Sequence, residues 1–87
     1  MALAPTLHLN GTGAASLQRE YYAFYKAVNS AIEALADATL NARDYYVQGS
    51  QAYSQARTER DAAFAHLGAA KLYAEEMLSG IMDQARR

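Results

Sequence analysis

Eighty-seven residues without a cysteine make at most one domain, with a small core, and exclude disulfides, cysteine-ligated zinc, iron–sulfur clusters and thiol nucleophiles. Eight Lys+Arg stand against nine Asp+Glu, a net charge of −1. That supplies neither the basic face of a nucleic-acid binder nor the acidic excess of a DNA mimic, so nucleic acid is not expected as a partner.

A marginal core without disulfides points to homo-oligomerisation as reinforcement, and near-neutrality lowers the barrier to it. The opening MALAPTLHLN has no basic stretch ahead of an apolar run, so no secretory signal is expected. No segment approaches the ~20 apolar residues of a transmembrane helix. A cytoplasmic protein with no membrane partner is the expectation.

In chain order, residues 1–12 read as an extended arm carrying the only proline, Pro5. Asn10-Gly11 is a turn signal, and Thr12 is placed to cap the helix that follows. The first helix is predicted over 13–39. Its apolar stripe is Leu17, Tyr21, Phe24, Val28, Ala31/Ile32, Leu35 and Ala38, alternating spacings of four and three as in a helix packed along a neighbour.

A loop is predicted over 40–50, with Asn41 closing the helix and Gly49-Ser50 opening the next. Tyr45, Tyr46 and Val47 lie within it, and cover for them is expected. The second helix is predicted over 51–85, with the stripe Tyr53, Ala56, Ala63/Phe64, Leu67, Ala70, Ala74, Met77/Leu78 and Ile81, interrupted at Arg60. Gly68, within a run of small residues, costs about 1 kcal/mol relative to alanine. Close approach of another helix is the preferred explanation, and a helix break the alternative.

In an antiparallel hairpin the longer second helix leaves a surplus, placed at residues 77–87. Its apolar spacing calls for cover by another subunit or by the folded-back arm. Ile81→Asp is accordingly expected to weaken assembly, and Phe24 and Phe64 are expected to face each other or near neighbours across the hairpin.

Two clusters carry the candidate site. Arg43, Asp44, Tyr45 and Tyr46 in the loop combine an arginine, a carboxylate and two rings, suited to a planar, phosphorylated or peptide ligand. The plain structural alternative has Asp44 capping the loop, Arg43 paired with a carboxylate and both tyrosines plugging the hairpin. If the loop is extended, the two adjacent tyrosines point to opposite sides, one packing inward as the plug of the hairpin and the other left available to a partner, with nothing in the residues to say which. On the first helix, Tyr22 and Lys26 share a face beside Arg19, Tyr21 and Tyr25. That pattern can stack and neutralise a nucleotide, or form an amphipathic interface.

His8 and His66 are isolated, so neither metal nor cofactor is expected. The acidic residues of the second helix read as solvated ion pairs. No phosphate-binding, dinucleotide or serine-nucleophile motif occurs, and catalysis is not expected.

Asn41-Ala42-Arg43-Asp44-Tyr45-Tyr46, together with the arm from Pro5 to Thr12 containing His-Leu-Asn-Gly-Thr, resembles short proteins encoded in tailed-phage and prophage genomes. Those pair an HLNGT start with an RDYY loop between two helices, over nearly the whole chain. The resemblance implies a phage context, placing the protein in the host cytoplasm, and carries no mechanism. In architecture alone, a small helical-hairpin oligomer also resembles the phage sponges that sequester cyclic-nucleotide signals, but no residue transfers from them.

The chain is therefore expected to be all-α: a long antiparallel hairpin with an N-terminal arm, packed into an oligomeric helical bundle. The expected function is a non-catalytic homo-oligomer that binds a host or phage protein. The alternative is an oligomer binding a nucleotide-like or anionic small molecule in a pocket between subunits at the RDYY loop.

Overall fold

The computed structural model describes residues 1–86. Two helices, α1 (Ala14–Asp37) and α2 (Ala52–Ala85), are joined through a 3-10 segment (Ala42–Gln48). Among the described residues there is no strand, and no helix is long and apolar enough to cross a membrane. The molecule measures 61 × 20 × 18 Å, with a radius of gyration of 18.7 Å; a compact chain of this length has about 12 Å.

The caps differ from expectation in three places. Gly13, in extended conformation, precedes α1 without a side-chain cap bond, so Thr12 does not cap it. Asn41 is extended rather than left-handed, and its side chain opens the 3-10 segment by accepting from the Arg43 amide at 3.1 Å. Gln51, not Ser50, precedes α2. Gly49 takes φ +116, a conformation that only glycine adopts without strain. The turn at Asn10-Gly11 forms as expected, with the Gly11 amide donating to the His8 carbonyl at 3.1 Å. Asn and Gly occupy turn positions that suit them.

Arg60 fixes the axial register. Its guanidinium donates to the carbonyls of Ala38 (2.6 Å) and Ala36 (3.2 Å) at the end of α1, where orphan carbonyls and the negative pole of the helix attract a cation. The interruption of the stripe is thus a cap supplied by the neighbouring helix. Because α1 ends beside Arg60, the surplus of α2 is its N-terminal portion, residues 52–59, and not its C-terminal turns. The 3-10 segment packs against that portion. At the other end, Ala15, Gln18 and Tyr22 of α1 border a common cleft with Leu78 and Met82.

This register also separates the phenylalanines. Phe24 meets Tyr73 edge-on at 6.4 Å and remains 40% exposed. Phe64 lies under the Arg60 guanidinium, 5.5 Å from it. The two do not face each other, and Phe24 has Tyr73 as its neighbour across the hairpin.

The core is thin. Val28, Ala74, Met77 and Ile81 are its buried side chains, and three of the four lie in the last third of α2. There the arm folds back and runs alongside the helix. The Ala2 amide donates to Glu76 Oε1 at 3.1 Å. Gln84 holds the arm with both ends of its amide: Oε1 accepts from the Leu7 amide at 2.8 Å, and Nε2 donates to the Pro5 carbonyl at 2.7 Å. The last third of α2 is therefore flanked by α1 and the arm. Ile81, fully buried, belongs to the internal core rather than to an assembly surface.

α2 is continuous through Gly68, and a Cβ built there meets nothing within 4 Å. Gly68 therefore marks neither a break nor a close helix approach within the chain.

Candidate functional site

The 3-10 segment is built on two anchors. Asn41 caps its start, the Asp44 amide donating to the Asn41 carbonyl at 3.0 Å. Tyr45 packs on Tyr53 of α2 with ring centroids 6.3 Å apart. The Arg57 guanidinium, one helical turn beyond Tyr53, lies 5.9 Å from the Tyr53 ring, close enough for a cation–π contact. With three residues per turn, side chains at 45 and 46 diverge by about 120°. Tyr45 turns inward as the plug, while Tyr46 stands 84% exposed and Val47 90% exposed. The expectation that all three loop side chains are covered holds for Tyr45 alone.

Arg43 and Asp44 are both exposed, and among the described residues their charged groups form no hydrogen bond or ion pair. The cap expected of Asp44 is supplied by Asn41 instead. A small cleft of about 150 Å³ lies beside the loop, bordered by Tyr45, Gln48, Ala52 and Glu59. It falls short of the roughly 300–1,000 Å³ of small-molecule pockets.

Tyr22 and Lys26 do not join this site. Tyr22 lies fifteen residues before the end of α1 at Asp37, about 22 Å at the rise of an α-helix. Tyr22 stacks on Tyr25 at 6.3 Å with an interplanar angle of 23°, and the Lys26 ammonium lies 5.6 Å from the Tyr22 ring. Tyr22 and Arg19 border an open cleft of about 530 Å³ with Leu78 and Met82.

Tyr21, on the adjoining strip, faces Tyr73 across the hairpin with ring centroids 6.3 Å apart. Hydrogen bonding to the Tyr73 side chain, then burial, raises the Tyr21 phenol above its ordinary value of 10.0.

Tyr53, Arg57 and Arg60 build the loop end, yet no motif singled them out. The signals available were the four-residue spacing of Tyr53 and Arg57, and a cation placed on an apolar stripe. No group of three or more His, Asp or Glu side chains able to hold a metal occurs among the described residues. No protein-family model matches the chain, and no curated protein or solved structure matches it either.

Proposed function

We propose that the chain is a non-catalytic, homo-oligomeric interaction protein that binds a protein partner with the loop end of its hairpin. The observation that carries this reading is the division of labour between adjacent tyrosines: Tyr45 is spent on Tyr53, and Tyr46 stands in solvent beside exposed Val47 and Arg43. Tyrosine and arginine are the residues that most often anchor protein interfaces. A capped and buttressed turn loses little conformational freedom on binding. Arg43, with no partner among the described residues, keeps its planar fork for a carboxylate on the partner. The phage context implied by the HLNGT and RDYY strings would make that partner a host or phage protein.

A small-molecule pocket at this end would need walls from a second subunit, since the cleft within one chain holds about 150 Å³. The protein-partner reading is preferred because exposed Tyr46, Val47 and Arg43 can meet a partner without such walls.

The test uses three variants and two measurements, melting and capture of protein from host lysate. Tyr46→Ala and Arg43→Lys are expected to abolish capture while melting moves little. Tyr45→Ala is expected to lower the melting temperature. Retained capture by Tyr46→Ala and Arg43→Lys would overturn the reading, as would capture falling only in proportion to lost stability.

A further inference from the structure

We propose that the peptide bond between Met1 and Ala2 is a processing site, and that Glu76 captures the α-ammonium its hydrolysis leaves on Ala2, anchoring the arm to α2. The inference rests on the arm alone and is independent of the loop-end reading.

Position comes first. The Ala2 amide donates to Glu76 Oε1 at 3.1 Å, and both residues are half-buried. Two further contacts keep the Ala2 nitrogen there. The Ala4 methyl lies over Gly80, within 2.5 Å of where a Cβ on residue 80 would stand, and Gln84 holds Pro5 and Leu7. Ala2 therefore stays beside Glu76 whatever becomes of the residue before it. Met1 lies outside these contacts, with its side chain fully exposed. The small side chain of Ala2 leaves the bond between them unhindered for a peptidase.

Charge comes second. A cleft of about 270 Å³ surrounds Ala2 between the arm and α2. Glu76 and Asp83 are the charged side chains on its border, and no basic side chain borders it. Glu76 meets only an uncharged amide of the arm, with a second carboxylate on the same cleft. A cation at the Ala2 nitrogen would be attracted by both carboxylates, which an amide is not.

Hydrolysis supplies that cation and consumes one water. The bond between the Met1 carbonyl carbon and the Ala2 nitrogen breaks. The water oxygen joins the carbonyl carbon as a carboxylate, and both water hydrogens go to the Ala2 nitrogen, giving –NH3+. An α-amino group ordinarily titrates at about 7.7–8.0, and neighbouring carboxylates raise that value. The unfolded form then loses the proton first as pH rises. The anchoring is complete below the ordinary value and is lost as pH climbs through the folded one.

The test has two parts. Intact mass of the chain made in bacterial cells is expected to lack one methionine residue, and retention of Met1 would overturn the processing site. The second part compares the chain beginning at Met1 with a form beginning at Ala2, each with Glu76 and with Glu76→Gln. At neutral pH the Leu7 amide, bonded to Gln84, is expected to exchange roughly two- to fivefold more slowly in the form beginning at Ala2, the gain from a partly exposed ion pair. Glu76→Gln is expected to abolish that difference. It keeps an oxygen acceptor for the amide, so the chain beginning at Met1 is expected to change little. The Ala2 methyl signal, followed by NMR against pH, is expected to report an ammonium titrating above its ordinary value in the form beginning at Ala2, and at that value in Glu76→Gln. Equal exchange in the two forms, or a raised titration that survives Glu76→Gln, would overturn capture by Glu76.

Discussion

The Ala4 methyl rests on Gly80, at a point where a Cβ on residue 80 would come within 2.5 Å of it. The obstructing atom belongs to a side chain with no rotamer to change, so the two backbones must part if residue 80 gains a methyl group. Helix propensity pulls the other way, since alanine is favoured over glycine in a helix by about 1 kcal/mol.

Gly80→Ala is therefore expected to keep α2 helical while lifting the arm from it. Amide hydrogen exchange reads this directly. The Leu7 amide, now bonded to Gln84 Oε1, is expected to lose protection, as is the Ala2 amide bonded to Glu76. Unchanged protection at both would show that the arm accommodates the methyl group.

Ile81→Asp tests where the core ends. Ile81 is fully buried within the single chain, so a carboxylate there is desolvated without a prepared partner, at a cost of several kcal/mol. The variant is expected to lose helicity at every protein concentration. Ile81→Val is expected to cost only about 0.5–1.5 kcal/mol. If Ile81→Asp stays folded and merely dissociates, the residue faces a subunit rather than the core.

Gly68 gives the opposite sign from Gly80. Nothing lies within 4 Å of a Cβ built there, and the residue is exposed within a continuous helix. Gly68→Ala is expected to stabilise the fold by about 1 kcal/mol, which raises the melting temperature by about 4–8 °C in a domain of this size. A lower melting temperature would indicate that another molecule approaches residue 68 closely.

The hairpin itself was legible in the sequence, because apolar spacing at three and four marks which face of each helix turns inward. Every residue named on the α2 stripe, from Tyr53 to Ile81, is at least partly buried. On α1, Phe24, Ala31 and Ala38 are exposed, and Tyr25 turns inward instead. Axial register was not legible. Periodicity fixes rotation about a helix axis but not position along it, and here Arg60 sets that position by gripping the end of α1. The same shift moved the surplus of α2 from its C-terminal to its N-terminal end. It also let the arm, rather than a neighbour, cover the C-terminal turns. At the loop, the residue types pointed to the site. That one of the adjacent tyrosines plugs the hairpin while the other stays free was readable, but which one does so was not, because it depends on a 3-10 segment started by Asn41.

Alkaline stability reports on Tyr21. Its phenol is raised above 10.0 in the folded chain, so as pH rises past 10 the unfolded form loses this proton first. The unfolded state then binds fewer protons than the native state, and stability falls with increasing pH. The contribution is complete below pH 10 and is lost as pH climbs through the folded value. Denaturation midpoints measured across this range are expected to decline less steeply in Tyr21→Phe than in wild type. Tyr73→Phe, which removes the neighbouring phenol that raises Tyr21, is expected to show the same flattening. Superimposable alkaline limbs would remove Tyr21 from the account.

Arg60 holds the register through two carbonyls and one ring, and substitutions separate these contacts. Its guanidinium reaches Ala38 at 2.6 Å and Ala36 at 3.2 Å, and lies 5.5 Å from the Phe64 ring. Arg60→Met keeps an apolar stem against the ring but removes the charge and both donors. Each bond is worth about 0.5–1.5 kcal/mol net, so a loss of about 1–3 kcal/mol is expected, read as a lower urea midpoint with an unchanged slope. Arg60→Lys keeps the charge at the negative pole of α1 but not the two-pronged geometry, and an intermediate loss is expected. If methionine matches wild type, water satisfies the α1 carbonyls equally well and Arg60 does not set the register. If lysine matches wild type while methionine does not, charge rather than the guanidinium fork anchors the helix end. An ordered series, with arginine above lysine and lysine above methionine, identifies the fork as the device that positions α1 along α2 and leaves residues 52–59 free to carry the loop.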